Sequence, residues 1–297
     1  MHDGIKEAFI HSQFKINDEK ERKMKLTRIM AAAGLVVALA CGNALATPST
    51  QIWIPSTDVK SFKDIHLDID NYTRFDGKGY NGYNPNLYNI GLSAGVLPYE
   101  NVKLEIGVDF LKSGYQNTGV YPYDKAPFYF NAKLGTPEDA FDIKGLPAFA
   151  VGGYNFGTYD KAGSVSTRQN ITYGLVAKTF PVIGRLSAGG YYGSERALGK
   201  GANTGAMASW DRSMPEISDK LWLAVDYMSG NNANGEISVG GSWAFSKQVS
   251  LIVGVVFFNP FYNISSYDPS YGGGGAYSGH INPGGKPALT TQLDISF

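Results

Sequence analysis

The chain has 297 residues, a formal net charge of zero and a single cysteine, Cys41. That balance excludes recruitment of nucleic acid or of an anionic surface by overall charge, and the lone thiol excludes an intrachain disulfide framework. Charged residues are only 18%, against 37 glycines and 19 tyrosines, a composition that suits a β-barrel with a lipid-facing exterior and aromatic belts.

Met1–Lys23 is rich in charge and carries no apolar period. Met24 then opens MKLTRIMAAAGLVVALACGNALA, with Lys25 and Arg28 as a positive n-region, Ile29–Ala40 as a short apolar run and Ala44-Leu45-Ala46 as a cleavage site before Thr47. These parts make a secretory signal peptide over Met24–Ala46. Because such peptides begin at the initiator Met, Met1–Lys23 is expected to be a non-translated extension, and the amino-terminal sequence of the cell-made protein should contain nothing from it. Ala38-Leu39-Ala40-Cys41 approximates a lipobox, an alternative in which Cys41 is lipidated. No other apolar run reaches the ~18 residues that a spanning helix needs, so the mature chain enters a membrane through strands. Thr47–Lys60 (TPSTQIWIPSTDVK) is short and Pro-punctuated, and it reads as a periplasmic tail or a lumen plug.

From Ser61 to Phe297 one pattern recurs: about ten residues alternating apolar and polar, then a turn. Val102, Leu104, Ile106, Val108 and Phe110 oppose Lys103, Glu105, Gly107 and Asp109, as a strand between lipid and a wet lumen requires. Similar runs lie around Ile65–Ile69, Tyr88–Val96, Phe128–Leu134, Ile171–Ala177, Leu186–Tyr192, Leu221–Tyr227, Ile237–Phe245, Val249–Phe257 and Leu289–Phe297, while Pro147–Tyr159 is Gly-rich and ambiguous in phase. In Ile171–Ala177 the apolar Ile171, Tyr173, Leu175 and Ala177 are assigned to lipid, with Lys178 inward. These strands are eleven, and bacterial barrels of this kind have an even number, with short turns on one side and long loops on the other. A twelfth strand at Thr204–Arg212 (TGAMASWDR) restores the alternation. The expected fold is therefore all-β: a transmembrane antiparallel up-and-down β-barrel of twelve strands, closed by the last strand pairing with Phe62–Phe75.

Two stretches carry a resemblance. The ending PALTTQLDISF, alternating and finishing on Phe297, resembles the C-terminal signature of Gram-negative outer-membrane β-barrels. Ile217–Phe258, with Asp226-Tyr227, Gly230–Gly235, Trp243–Phe245 and Ser246–Val249, resembles hairpins of porin-like, uncharacterised barrel families. The resemblance implies residence in the outer membrane, contact with its lipid, and engagement of the barrel-assembly machinery through the strand ending at Phe297. It carries over no substrate and no site residue.

The phase of the strands puts His66, Asp68, Asp70, Lys103, Glu105, Asp109, Lys133, Lys178, Arg185 and Asp226 in the lumen, with Asp211 and Asp294. Mixed charges in a narrow barrel either pair and fill it or form a constriction that selects small polar or charged solutes. The first arrangement belongs to a structural or partner-binding barrel, the second to a porin-like passive channel. His66, Asp68 and Asp70 share one face at alternate positions, but same-face neighbours on a strand stand ~7 Å apart, too far for a three-ligand metal site. His66 and His280 are the mature chain's only histidines and neither has a nucleophile motif beside it, so no enzyme activity, cofactor or metal is expected. The long loops around Tyr72–Tyr88 and Tyr267–Tyr277 (YDPSYGGGGAY) read as solvated loops or a recognition patch for an unknown partner.

Overall fold

A computed structural model describes residues 49–75, 87–113, 126–160, 166–232, 234–261 and 287–297. The expectations on Met1–Lys23, the signal peptide, Cys41, His280 and the Tyr267–Tyr277 loop lie outside these residues. The barrel unit is Asn43–Ser296. Its strands are β1 (Ile65–Arg74), β2 (Leu87–Gly95), β3 (Lys103–Ser113), β4 (Phe128–Thr136), β5 (Ala148–Gly157), β6 (Ile171–Phe180), β7 (Gly184–Tyr192), β8 (Thr204–Ser213), β9 (Leu221–Met228), β10 (Glu236–Ala244), β11 (Val249–Phe258) and β12 (Pro287–Ser296). Each pairs antiparallel with its neighbours in sequence, and β12 pairs with β1, so the sheet closes. The closing register sets Leu67 against Ile295, Ile69 against Leu293 and Asp68 against Asp294. Closure leaves no strand edge with unpaired amides, the condition for a sheet to sit in hydrocarbon.

The strand inferred from parity is present as β8, paired with β7 and β9. The connections 181–183 and 245–248 fall on one side of the sheet, and 75–86, 114–127 and 259–286 on the other.

The outer wall is apolar. Ile90, Leu92, Ile106, Phe130, Val151, Val239 and Val253 sit in mid-strand and are each about half exposed. A belt of this extent around a water-soluble protein would drive association; in a bilayer it is the side that meets lipid. Exposed aromatics, among them Phe62, Tyr99, Phe128, Phe180, Tyr192 and Phe245, lie at strand ends, where girdles form. The fold is a transmembrane β-barrel.

Two strands depart from simple alternation. In β5 a bulge opposes Tyr154-Asn155 to Asn131 alone, since Phe130 pairs Phe156 and Ala132 pairs Gly153. Asn155 takes φ 54° there. The extra residue resets the phase: Phe149 and Val151 face out before it, Phe156 after it, and Tyr154 faces in against Tyr173. One strand thus shows two phases, which is why its periodicity was ambiguous.

In β6 the sequence assignment is inverted. Ile171, Tyr173, Leu175 and Ala177 are buried inside, while Thr172 and Val176 face outward. Lys178 therefore does not face the lumen. It stands at the outer-face end of β6 and ion-pairs Glu138 (2.9 Å) and Asp139 (3.3 Å) of the β4–β5 connection. The cause is local: the inner wall at β6 packs against apolar side chains rather than water, so both faces are apolar and period two cannot tell them apart.

Candidate functional site: the lumen and the hairpin within it

Ser49–Ser56 forms a small hairpin inside the barrel. The Gln51 amide donates to the Ile54 carbonyl (2.8 Å), the Ser56 amide to the Ser49 carbonyl (3.1 Å), and Thr50 bridges Pro55. The chain then passes Lys60, bridges once to the wall at Phe62–Gly95 and enters β1.

At the tip, Gln51, Ile52 and Ile54 are buried and Trp53 is partly buried. The amides of Ile52, Trp53 and Ile54 all donate to Oδ2 of Asp226, at 2.8, 2.8 and 3.2 Å. Three converging N–H groups make a concave anion seat of the kind that backbone nests provide, and here the anion is a side chain of the wall. Gln51 donates to Asp211 (2.9 Å), and Gln292 donates to the Ile52 carbonyl (2.7 Å). The Trp53 indole N–H reaches the Asn234 carbonyl (3.1 Å), and its ring meets Tyr72 and Phe258 edge-on, each at 5.2 Å.

Shape completes the seat. Ile54 packs with Ile171, Tyr173, Leu175, Tyr191, Met207 and Met228. Ile52 packs with Ala224, Ile252, Val256 and Ala288, over a notch made by the cross-strand pair Gly240 and Gly254. A Cβ at Gly240 would stand 3.1 Å from Ile52 and 2.7 Å from the Val253 carbonyl. Neither glycine was singled out in the sequence, because only the register brings them opposite each other.

The stem is held by charge. Arg185 makes a two-pronged contact with Asp58 (2.7 and 2.8 Å) and a third bond to Asp211 (2.9 Å). Burial alone would raise the Asp58 pKa, but the Arg185 guanidinium outweighs it and holds the carboxyl below its ordinary value. Glu105 accepts from Ser49 Oγ (2.9 Å) and from the Lys60 amide (3.2 Å). Lys133 donates to the Ser49 and Ser56 carbonyls, and Lys103 to Ser61 Oγ (2.9 Å). Five of the charged positions expected in the lumen, Glu105, Lys133, Arg185, Asp211 and Asp226, thus hold the hairpin and its stem, and Lys103 anchors the residue that follows.

The remaining candidates form a different wall. Asn89 donates to Asp68 (3.0 Å), Asp70 (3.2 Å) and Asp109 (3.3 Å), and Asn131 donates to Asp109 (2.7 Å). These side chains are only half-buried. None of the three carboxylates is ion-paired to a cationic side chain among the described residues. His66 is set apart from them, buried against Asp294 (3.1 Å) and Ser296 (3.2 Å).

No family model matches the chain, and no curated protein matches it. Solved structures of similar outline are an outer-membrane channel from Pseudomonas putida F1 (11% identity, 81% of this chain and 97% of that one, TM-score 0.44), a mutant of the Rh. blastica porin (8%, 80% and 99%, 0.36) and Salmonella typhi OmpF complexed with daunomycin (9%, 79% and 96%, 0.35). The lumen wall has two parts with different side chains: one on β6–β12 that seats the hairpin tip, and an acid-amide group on β1–β4, Asp68, Asp70, Asn89, Asp109 and Asn131.

Proposed function

We propose that the protein is an outer-membrane channel for small polar or charged solutes, narrowed by Ser49–Lys60 acting as a plug. The apolar belt and the strand closing the barrel at its C-terminus support the location. The observation that carries the channel reading is the partly exposed group of Asp68, Asp70, Asp109, Asn89 and Asn131. A barrel built only to be filled would pair these carboxylates with the lysines and arginine nearby, because unpaired charge in a dry interior is costly. Instead Lys133 and Arg185 are engaged by the hairpin and its stem, and these partly exposed carboxylates take amide donors from Asn89 and Asn131. Carboxylates lining a constriction favour cations there.

Planar bilayers test the reading. The folded protein should give resolved, salt-dependent conductance steps, and a potassium chloride gradient should give a reversal potential of cationic sign. In the double variant Asp68→Asn, Asp109→Asn the cation preference should fall by a factor of about two or more, since charge at a constriction decides which ion enters. A correctly folded barrel that stays silent, with and without the plug residues, would establish the competing reading of a structural or partner-binding barrel with a filled lumen. The extent of the hairpin's contacts is the observation that favours that alternative.

A further inference from the structure

The hairpin could be permanent filling or a displaceable part. Three features separate it from the barrel. Among the described residues its backbone pairs with itself, and the segment meets the backbone of the wall only around Gly95, through Phe62, Lys63 and Asp64. The barrel closes through β1 and β12 without it. Its polar contacts gather in two clusters, one at the tip centred on Asp226 with Asp211 and Gln292, and one at the stem centred on Arg185 with Glu105 and Lys133.

Asp226 is the more telling of the two. It is 1% exposed and forms no ion pair with any cationic side chain among the described residues. Another buried carboxylate of this wall, Glu236, lies two residues before Ser238, the cross-strand partner of Asp226, and takes the Ser238 hydroxyl. What faces Asp226 is the hairpin's amides, the Ser238 side chain and a second acid, and Tyr72 stands across the tip. Bonds from N–H to an ionised carboxylate are roughly twice as strong as neutral ones. A buried carboxylate stripped of them is severely penalised unless water replaces them. Departure of the hairpin and entry of water to Asp226 must then occur as one event.

We propose that Asp226 is the catch of a self-plugging gate: it holds the Ile52–Ile54 amides while the lumen is closed, and its release frees the hairpin and admits water to the wall that seats it. The inference rests on the channel reading for its consequence in conduction, but not for the catch itself.

The test attacks one contact from both sides in the full mature chain. Asp226→Asn keeps the shape and removes the charge. Ile52→Pro removes one of the three donors at a position outside every strand. Hydrogen exchange of the Trp53 and Ile54 amides is read against amides of β9 and β10, and conductance is recorded in parallel. We expect both variants to lose protection at the tip by about tenfold or more while the strand amides keep theirs, and to open more often or more widely than the parent. Loss of protection in a barrel that remains silent supports the catch and refutes the channel. Parental protection at the tip in folded Asp226→Asn overturns the catch. Should that variant not fold, parental protection at Trp53 and Ile54 in Ile52→Pro overturns it equally.

Discussion

Val176→Arg is expected to destabilise the barrel in a bilayer by about 2–4 kcal/mol, the cost of an arginine on the lipid face near the midplane. Val176 lies in mid-strand, paired with Ala188 and Phe149, and its side chain is exposed on the outer wall. Val108, between Leu92 and Phe130 on β3, should respond alike to Val108→Arg. The two sites differ in what they test. At Val108 the sequence phase and the structure agree. At Val176 they disagree, because simple alternation assigns Leu175 to lipid and sends position 176 inward. Leu175 instead is buried beside Ile54, so Leu175→Ala should leave a cavity costing roughly 2–5 kcal/mol. Urea unfolding of the barrel in lipid vesicles measures all three. A loss at Val176→Arg below about 0.5 kcal/mol, the range of a neutral surface change, would restore the inverted phase and with it a lumenal Lys178.

The contrast shows what period two can and cannot convey. Alternation marks a strand, and it marks the lipid face when the other face is polar. In β3 the inner positions are Lys103, Glu105, Gly107 and Asp109, and the assignment is right. In β6 the inner positions are Ile171, Tyr173, Leu175 and Ala177 because another part of the chain lies on them. Burial against protein and burial against lipid select the same residues. The strand β8 escaped direct notice for a related reason: its outward Ala206 and Ala208 are small, and only the parity of the turns exposed it. The hairpin had a signal that could have been weighed, the apolar triplet Ile52-Trp53-Ile54 in a polar, Pro-flanked segment. Its receptors could not be assembled from the sequence, since Asp226, Asp211, Gln292 and the Gly240–Gly254 notch converge only once the register of β8 to β12 is known.

Arg185 should be the least replaceable charge in the lumen. It stands between Asp58 of the hairpin stem and Asp211 of β8, 16% exposed and bonded to both. Arg185→Met leaves two carboxylates facing each other without their cation, and breaking a buried pair in this way costs about 3–5 kcal/mol. Asp58→Asn leaves Arg185 its bonds to Asp211 and should cost only about 1–3 kcal/mol. The pH dependence separates the charge effect from lost packing. Arg185 holds the Asp58 pKa below the ordinary carboxyl value. A carboxylate depressed on folding contributes stability that is complete above its unfolded value and is lost as pH falls through the folded one. The parent should therefore hold its stem unchanged from neutrality down to about pH 4, near the unfolded carboxyl value, and weaken only below it. In Arg185→Met the sign reverses: acid neutralises the abandoned pair and relieves the penalty, so stability rises as pH falls. Unfolding midpoints between pH 7 and pH 3 read this directly. If Arg185→Met and its parent kept parallel profiles, the guanidinium would be acting as packing alone, and the stem would not be held by charge.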